Sequence, residues 1–293
     1  MLGALATTLL FAITPVFANR AAGFLGSTRA NFWRLFVATL LLGAWAHLWG
    51  TGTGGHAFGW FAAGGMVGFG MGGLAMFQAL PRIGSNLSTL IVQCGSAVAA
   101  AGVEWAWLGT RLSAVQVSCA ALTICGVTIG LLPRSLPRVS PAQWTTGLTW
   151  SAVSALAQGV GAVMSRKAFA VAGTWHDKID PGTAAYQRAI GGIAVALLAL
   201  VAVSLLRREP ATEPRRAPLW VVANALTGPV LGVTCFQWAL RTAPAGVVQP
   251  IVAAAPLLTI PFAAWLENHR PARLYYVGAA LGAIGVTGLV LTG

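Results

Sequence analysis

Acidic side chains are what this chain has least of: six Asp and Glu in 293 residues, against eighteen Lys and Arg. Charged residues make up only 8% of the sequence and hydrophobic ones 57%, with a mean hydropathy of +0.75. A soluble domain carries roughly a quarter charged residues, so this chain cannot cover a water-facing surface of its own. Cysteine is scarce too. Cys94, Cys119, Cys125 and Cys235 lie singly in apolar runs with no C-x-x-C spacing, which excludes a disulfide framework and reads as packing. His47, His56, His176 and His269 form no i, i+4 pair that could hold zinc. No Asp pair, Ser-His couple or metal triad falls at depth, so an intramembrane enzyme is excluded and no cofactor is implied. The net charge of +12 sits almost entirely in short breaks between apolar runs, where arginines meet headgroups and set topology. No basic stripe lies on a soluble segment, which excludes nucleic acid as a partner.

What is present is a succession of apolar runs of helix-crossing length. Spanning a hydrocarbon core of about 30 Å takes about 20 residues of helix. Runs of that kind are predicted at 2–18, 28–49, 58–80, 84–108 and 114–132, and again at 142–164, 183–206, 218–240, 244–266 and 271–291. The first run resembles a signal peptide at Val16-Phe17-Ala18, but it lacks a basic n-region and contains Pro15. The prediction is an all-α polytopic membrane protein of ten transmembrane helices. Breaks at 168–182 and 207–217 hold most of the remaining charge, and 133–141 carries Arg134 and Arg138 among prolines.

The two sets of five are related. Phe77-Gln78-Ala79-Leu80 with Arg82 is echoed 159 residues later by Phe236-Gln237-Trp238-Ala239-Leu240-Arg241. Phe32-Trp33-Arg34 is echoed by Tyr186-Gln187-Arg188, 154 residues on, and Gly126-Val127-Thr128 by Gly285-Val286-Thr287. Order and spacing persist, as in an internal duplication. Five is odd, so the second copy is inserted upside down. The chain therefore divides into a five-helix repeat at 1–133, a connecting loop at 134–140 and an inverted five-helix repeat at 141–293, the architecture of many secondary transporters with a site between the halves near the midplane.

Phe32-Trp33-Arg34-Leu35, Ala79-Leu80, Leu108-Gly109-Thr110-Arg111-Leu112-Ser113, Trp265-Leu266-Glu267 and Gly278-Ala279-Ala280-Leu281 together resemble the drug/metabolite transporter superfamily, EamA type. Within it the chain is most similar to bacterial aromatic amino-acid exporters. The family's Leu-Gly-Glu-Arg-Leu pattern has Thr110 in place of its glutamate here. The resemblance implies a multi-pass protein of the cell inner (plasma) membrane, with helices 1 to 4 and 6 to 9 lining a cavity while helices 5 and 10 brace it. Rocking of helix hairpins would alternate access.

Substrate chemistry is bounded by polar residues at depth, because a buried ionisable group costs about 2.5 to 3.5 kcal/mol. No Asp, Glu or Lys falls at a helix centre, which argues against organic cations, and no deep basic cluster suits phosphate exchange. What remains is a set of amides: Gln78, Gln93, Gln158, Asn224, Gln237 and Gln249. They suit a neutral or zwitterionic solute, or else tie helices together at about 0.6 kcal/mol per bond. Phe77, Phe236, Trp238 and Tyr186 beside the repeated motifs are candidates to stack on an apolar side chain, or face lipid. Arg34 and Arg188, in equivalent positions, either recognise a carboxylate and gate, or snorkel to headgroups; the sequence favours snorkelling. Glu104 is a candidate proton carrier if it faces the cavity.

Most of the twelve tryptophans fall at helix ends, as an aromatic belt requires. Glycines 64 to 73 permit close helix approach, and Pro15, Pro229, Pro250, Pro256 and Pro261 lie inside predicted spans. The positive-inside count puts both termini outside the cytoplasm, whereas the resemblance implies cytoplasmic termini. The sequence thus leads to an exporter of small neutral or zwitterionic amphipathic solutes, with aromatic and other apolar amino acids foremost, working as a monomer in membrane lipid. The alternatives are a broad-specificity drug/metabolite efflux protein or a facilitative metabolite channel.

Overall fold

The structure is a computed structural model that describes residues 1–132, 139–206, 217–259 and 273–292. Within them lie ten helices: α1 Leu2–Leu25, α2 Ser27–Leu48, α3 Phe58–Ile83, α4 Ser85–Leu108, α5 Ala114–Leu131, α6 Pro141–Thr174, α7 Pro181–Leu206, α8 Ala217–Thr242, α9 Ala245–Thr259 and α10 Arg273–Thr292. Seven of them are long and apolar enough to cross a membrane by length and composition alone; α9 is shorter. The connecting loop at 134–140 and the expectations placed on Pro261, Trp265, Glu267 and His269 fall largely or wholly outside the described residues.

Local chemistry sets several ends. Ser113 and Ser140 each form a reciprocal capping box with the glutamine three residues on, Gln116 and Gln143, which starts α5 and α6. Asp180 precedes Pro181 and accepts hydrogen bonds from the backbone N–H groups of Gly182 at 2.9 Å and Thr183 at 3.1 Å, starting α7. Gly26 and Gly84, at φ 77° and 82°, turn the chain between α1 and α2 and between α3 and α4. Two boundaries differ from expectation: α1 runs seven residues beyond Ala18 to Leu25, and α6 departs further. α6 runs ten residues beyond Met164 to Thr174, because 165–174 contains neither Pro nor Gly before Gly173 and buries Ser165, Ala168 and Ala172. Arg166 and Lys167 are therefore helix residues rather than loop charges.

The packing follows the duplication. α5 lies on α10, α2 on α7 and α4 on α9, each a pairing of equivalent helices, while α3 packs on α6 and α7 and α8 packs on α1 and α7. Glycine makes the closest contacts possible. A Cβ at Gly65 would overlap the Arg188 carbonyl, and one at Gly191 the Ala62 carbonyl, so α3 and α7 meet backbone to backbone. Gly126 and Gly278 do the same for α5 and α10. Hydroxyls make several of the ties between helices across the bundle. Thr7 donates to the Gly232 carbonyl at 3.2 Å, Thr8 to Ile251 at 3.1 Å, Ser154 to Gly72 at 2.8 Å and Thr259 to Ala12 at 2.7 Å.

Both repeats widen into a π-helical turn at the same place, Met66–Met71 in α3 and Leu226–Val230 in α8. In α8 the cause is Pro229, which has no N–H to donate and whose ring would crowd the carbonyl four residues back. In α3 the turn contains Gly68 and Gly70 instead, both buried. Such turns re-aim the side chains of a helix without ending it.

Candidate functional site

Between the repeats lies a cavity of about 290 Å³, at the small end of the range for small-molecule sites. Every lining residue comes from α1 to α4 or α6 to α9 and none from α5 or α10, the division the resemblance implied. The π turns supply Gly68 and Phe69 from one repeat and Gly228 and Pro229 from the other. Helix α1 adds Phe11, Thr14 and Pro15, and Ala18, Leu80 and Thr89 extend the lining toward the face where α1 and α3 end.

The sequence-predicted residues divide. Gln93, Gln158, Gln249, Phe77, Phe236, Arg34 and Arg188 line the cavity. Gln158 also donates to Ser154 Oγ at 3.1 Å. Gln78 does not line it: its side chain is exposed on α3, where Oε1 accepts from Arg82 Nη1 at 3.0 Å. Trp238 is 46% exposed on the outer face of α8. The reason is geometric. Successive helix residues point about 100° apart, so where Phe77 and Phe236 face the cavity their neighbours Gln78, Gln237 and Trp238 turn away from it. Gln237 is fully buried instead, and neither its Nε2 nor its Oε1 finds a partner among the described residues. Asn224 is also buried, with Oδ1 unpartnered. Tyr186, two residues before Arg188, packs between α2 and α7 against the His47 ring, centroids 5.3 Å apart.

Both arginines line the cavity. Arg188 is 2% exposed. Its Nη1 donates to the Gly161 carbonyl at 2.7 Å and to Ser165 Oγ, its guanidinium lies 4.8 Å from the Phe69 ring centroid, and its buried Nε is unpartnered. Arg34 donates from Nε to Asn31 Oδ1 at 3.0 Å and lies 6.0 Å from the Phe77 centroid. Sequence reasoning passed over Asn31, although three residues is a helix-face spacing that would have paired it with Arg34. A snorkelling arginine needs a free path to headgroups, and close packing of α3 against α7 removes it from Arg188.

Glu104 is 1% exposed but faces away from the cavity. Its Oε1 accepts from Arg166 Nε at 3.3 Å and its Oε2 from the Gly246 N–H at 2.9 Å, while Arg166 Nη1 donates to the Leu240 carbonyl at 2.8 Å. These contacts clasp α4, α6, α8 and α9 together near the face that carries both chain ends. The same face is tied by Gln187, whose Nε2 donates to the carbonyls of Gly52 and Gly54 at 3.0 Å each, and by Asp177, which accepts from the His56 N–H at 2.8 Å. Arg166 lies past the end of the apolar run 142–164, so hydropathy alone gives no reason to place it on a helix facing Glu104.

The chain matches no curated protein. A solved structure described only as the crystal structure of a protein superposes with a TM-score of 0.81 over 100% of this chain and 98% of its own, at 16% identity, a likeness of fold alone. The family match is made twice, over residues 1–132 and 145–291, in step with the two five-helix repeats that enclose the cavity. The chain belongs to the EamA-like transporter family, membrane proteins that carry small solutes.

Proposed function

We propose that the protein is a secondary transporter that exports small amphipathic solutes across the inner (plasma) membrane, foremost amino acids with aromatic or other apolar side chains. The observation that carries this reading is the mixed wall of the cavity. Phe11, Phe69, Phe77 and Phe236 offer apolar faces, and Gln93, Gln158 and Gln249 offer uncharged donors and acceptors beside them. Such a wall suits a solute with one apolar end and one polar end. The site lies at the interface of two inverted repeats, which favours alternating access by rocking of one repeat against the other. The cavity is built within one chain, so the proposed working unit is the monomer in lipid.

Uptake of labelled phenylalanine into inside-out vesicles, with a panel of amino acids as competitors, tests the proposal. Saturable uptake with counterflow is expected. Failure of every amino acid to move would overturn the substrate assignment, and flux without saturation or counterflow would make the protein a channel.

A further inference from the structure

Two arginines in one low-dielectric cavity need a counter-charge. Among the described residues neither guanidinium has a carboxylate partner: the two ion pairs present are His56 with Asp177 and Arg166 with Glu104, and none of those four lines the cavity. Each arginine is instead held by neutral groups, Arg34 by Asn31 Oδ1 and Arg188 by the Gly161 carbonyl and Ser165 Oγ, with an aromatic face alongside. Neutral acceptors and rings orient a guanidinium but leave its charge uncompensated, and arginine does not shed that charge by deprotonating. Arg188 keeps a buried Nε with no partner. Arg34 is held through Nε alone among the described residues, and the pair of Nη groups this leaves without partners on a cavity-lining guanidinium is a donor edge suited to a carboxylate.

We propose that Arg34 and Arg188 make the carboxylate, and not the amino group, the required feature of the solute, so that the cavity also accepts arylalkyl carboxylates and other apolar organic anions. The proposal rests on reading the cavity as the transport site. Nothing in its wall would reward an ammonium group with an ion pair, because none of the described acidic residues lines it. Two such stations exist. Phe69 and Phe77 are eight residues apart on α3, which separates the rings beside Arg188 and Arg34 by about 12 Å along the helix. Each repeat contributes one of the two arginines.

The test uses the full-length protein and four probes of one shape: phenylalanine, 3-phenylpropionate, phenylalanine amide and phenethylamine. Binding is read in detergent as ligand-induced thermal stabilisation, and transport in proteoliposomes as competition with labelled phenylalanine counterflow. The two carboxylates are expected to stabilise and compete at similar concentrations, and the two amines to need at least about tenfold more, the scale of losing one charge-assisted contact. Arg34→Gln should weaken that discrimination and Arg34→Gln combined with Arg188→Gln should abolish it, while Arg34→Lys retains more of it than Arg34→Gln. If the amines match the carboxylates, or no probe stabilises the protein, the carboxylate requirement is wrong. Carboxylate-selective stabilisation without counterflow would keep the requirement and overturn transport; counterflow indifferent to the carboxylate would do the reverse.

Discussion

Phe69 and Phe77 lie eight residues apart on one helix, and each sits beside an arginine from a different repeat: Arg188 from the second at 4.8 Å and Arg34 from the first at 6.0 Å. A single helix thus spans both charged stations of the cavity. The π turn between Met66 and Met71 contains the first of those rings, so the local widening of α3 sets the angle at which Phe69 meets Arg188. Motion of α3 relative to α2 and α7 would change both stations together.

The clasp between Glu104 and Arg166 should be worth more than a surface ion pair. Glu104 is almost fully buried and also accepts from the Gly246 N–H. Glu104→Gln or Arg166→Gln alone should cost about 3 kcal/mol by leaving the partner charge uncompensated. A double-mutant cycle read by thermal unfolding in detergent should return a coupling of about 1 to 3 kcal/mol. Additive effects would mean the two side chains act independently.

Gly65 and Gly23 should respond in opposite ways to the same change. A Cβ at Gly65 would overlap the Arg188 carbonyl, whereas nothing lies within 4 Å of one at Gly23 in α1. Gly65→Ala should therefore destabilise by about 2 kcal/mol or more through forced separation of α3 and α7. Gly23→Ala should be neutral or stabilise by up to about 1 kcal/mol through helix propensity. Thermal stability of the two variants in one detergent decides the comparison.

Residues turned away from the cavity should be silent in transport. Gln78→Ala and Trp238→Ala are expected to leave the half-saturation concentration within about twofold of the parent. Gln93→Ala, Gln158→Ala and Gln249→Ala should raise it several-fold, about the worth of one neutral hydrogen bond each. Initial rates of labelled amino-acid uptake in proteoliposomes give the measurement. A large effect at Gln78 would mean that α3 rotates during the cycle to bring it inward.

Asp180, outside the spanning segments, gives the fold a pH dependence with a definite sign. Partial burial works against its carboxylate, but hydrogen bonds from the Thr183 hydroxyl, Trp45 Nε1 and the N–H groups of Thr183 and Gly182 outweigh it and hold the group below the usual carboxylate range. A depressed folded-state value means stability fully present above the ordinary Asp value of about 4 and lost as the pH falls through the lower folded one. Asp180→Ala should remove that acid-side dependence and cost about 1 kcal/mol at neutral pH as a lost helix cap. Thermal melts of both proteins from pH 3 to 7 make the comparison; parallel curves would exclude Asp180 as the cause.

The sequence by itself determined the class, the number of helices and the duplication. Scarce charge leaves a chain no stable option in water, apolar runs of fixed length count the spans, and repeated motifs at constant offset report the inverted halves. It also brought out Gln93, Gln158, Gln249, Phe77, Phe236 and both arginines, because each is polar at depth or adjoins a repeated motif. Ser-x-x-Gln at 113–116 and 140–143 marks two helix starts, a capping pattern that the structure brought out. What the sequence could not decide was facing. Phe77 and Gln78 are neighbours in the chain and about 100° apart on the helix, and which of them meets the cavity depends on where α6, α7 and α8 lie. The same holds for Glu104, whose partner is 62 residues away on a stretch of helix longer than its hydropathy suggested. Rotation about a helix axis is set by the fit of close-packed surfaces, and in a membrane hydropathy cannot reveal that fit, because lipid-facing and protein-facing sides are both apolar. Only the tertiary structure turned two arginines that resembled headgroup anchors into the charged lining of one cavity.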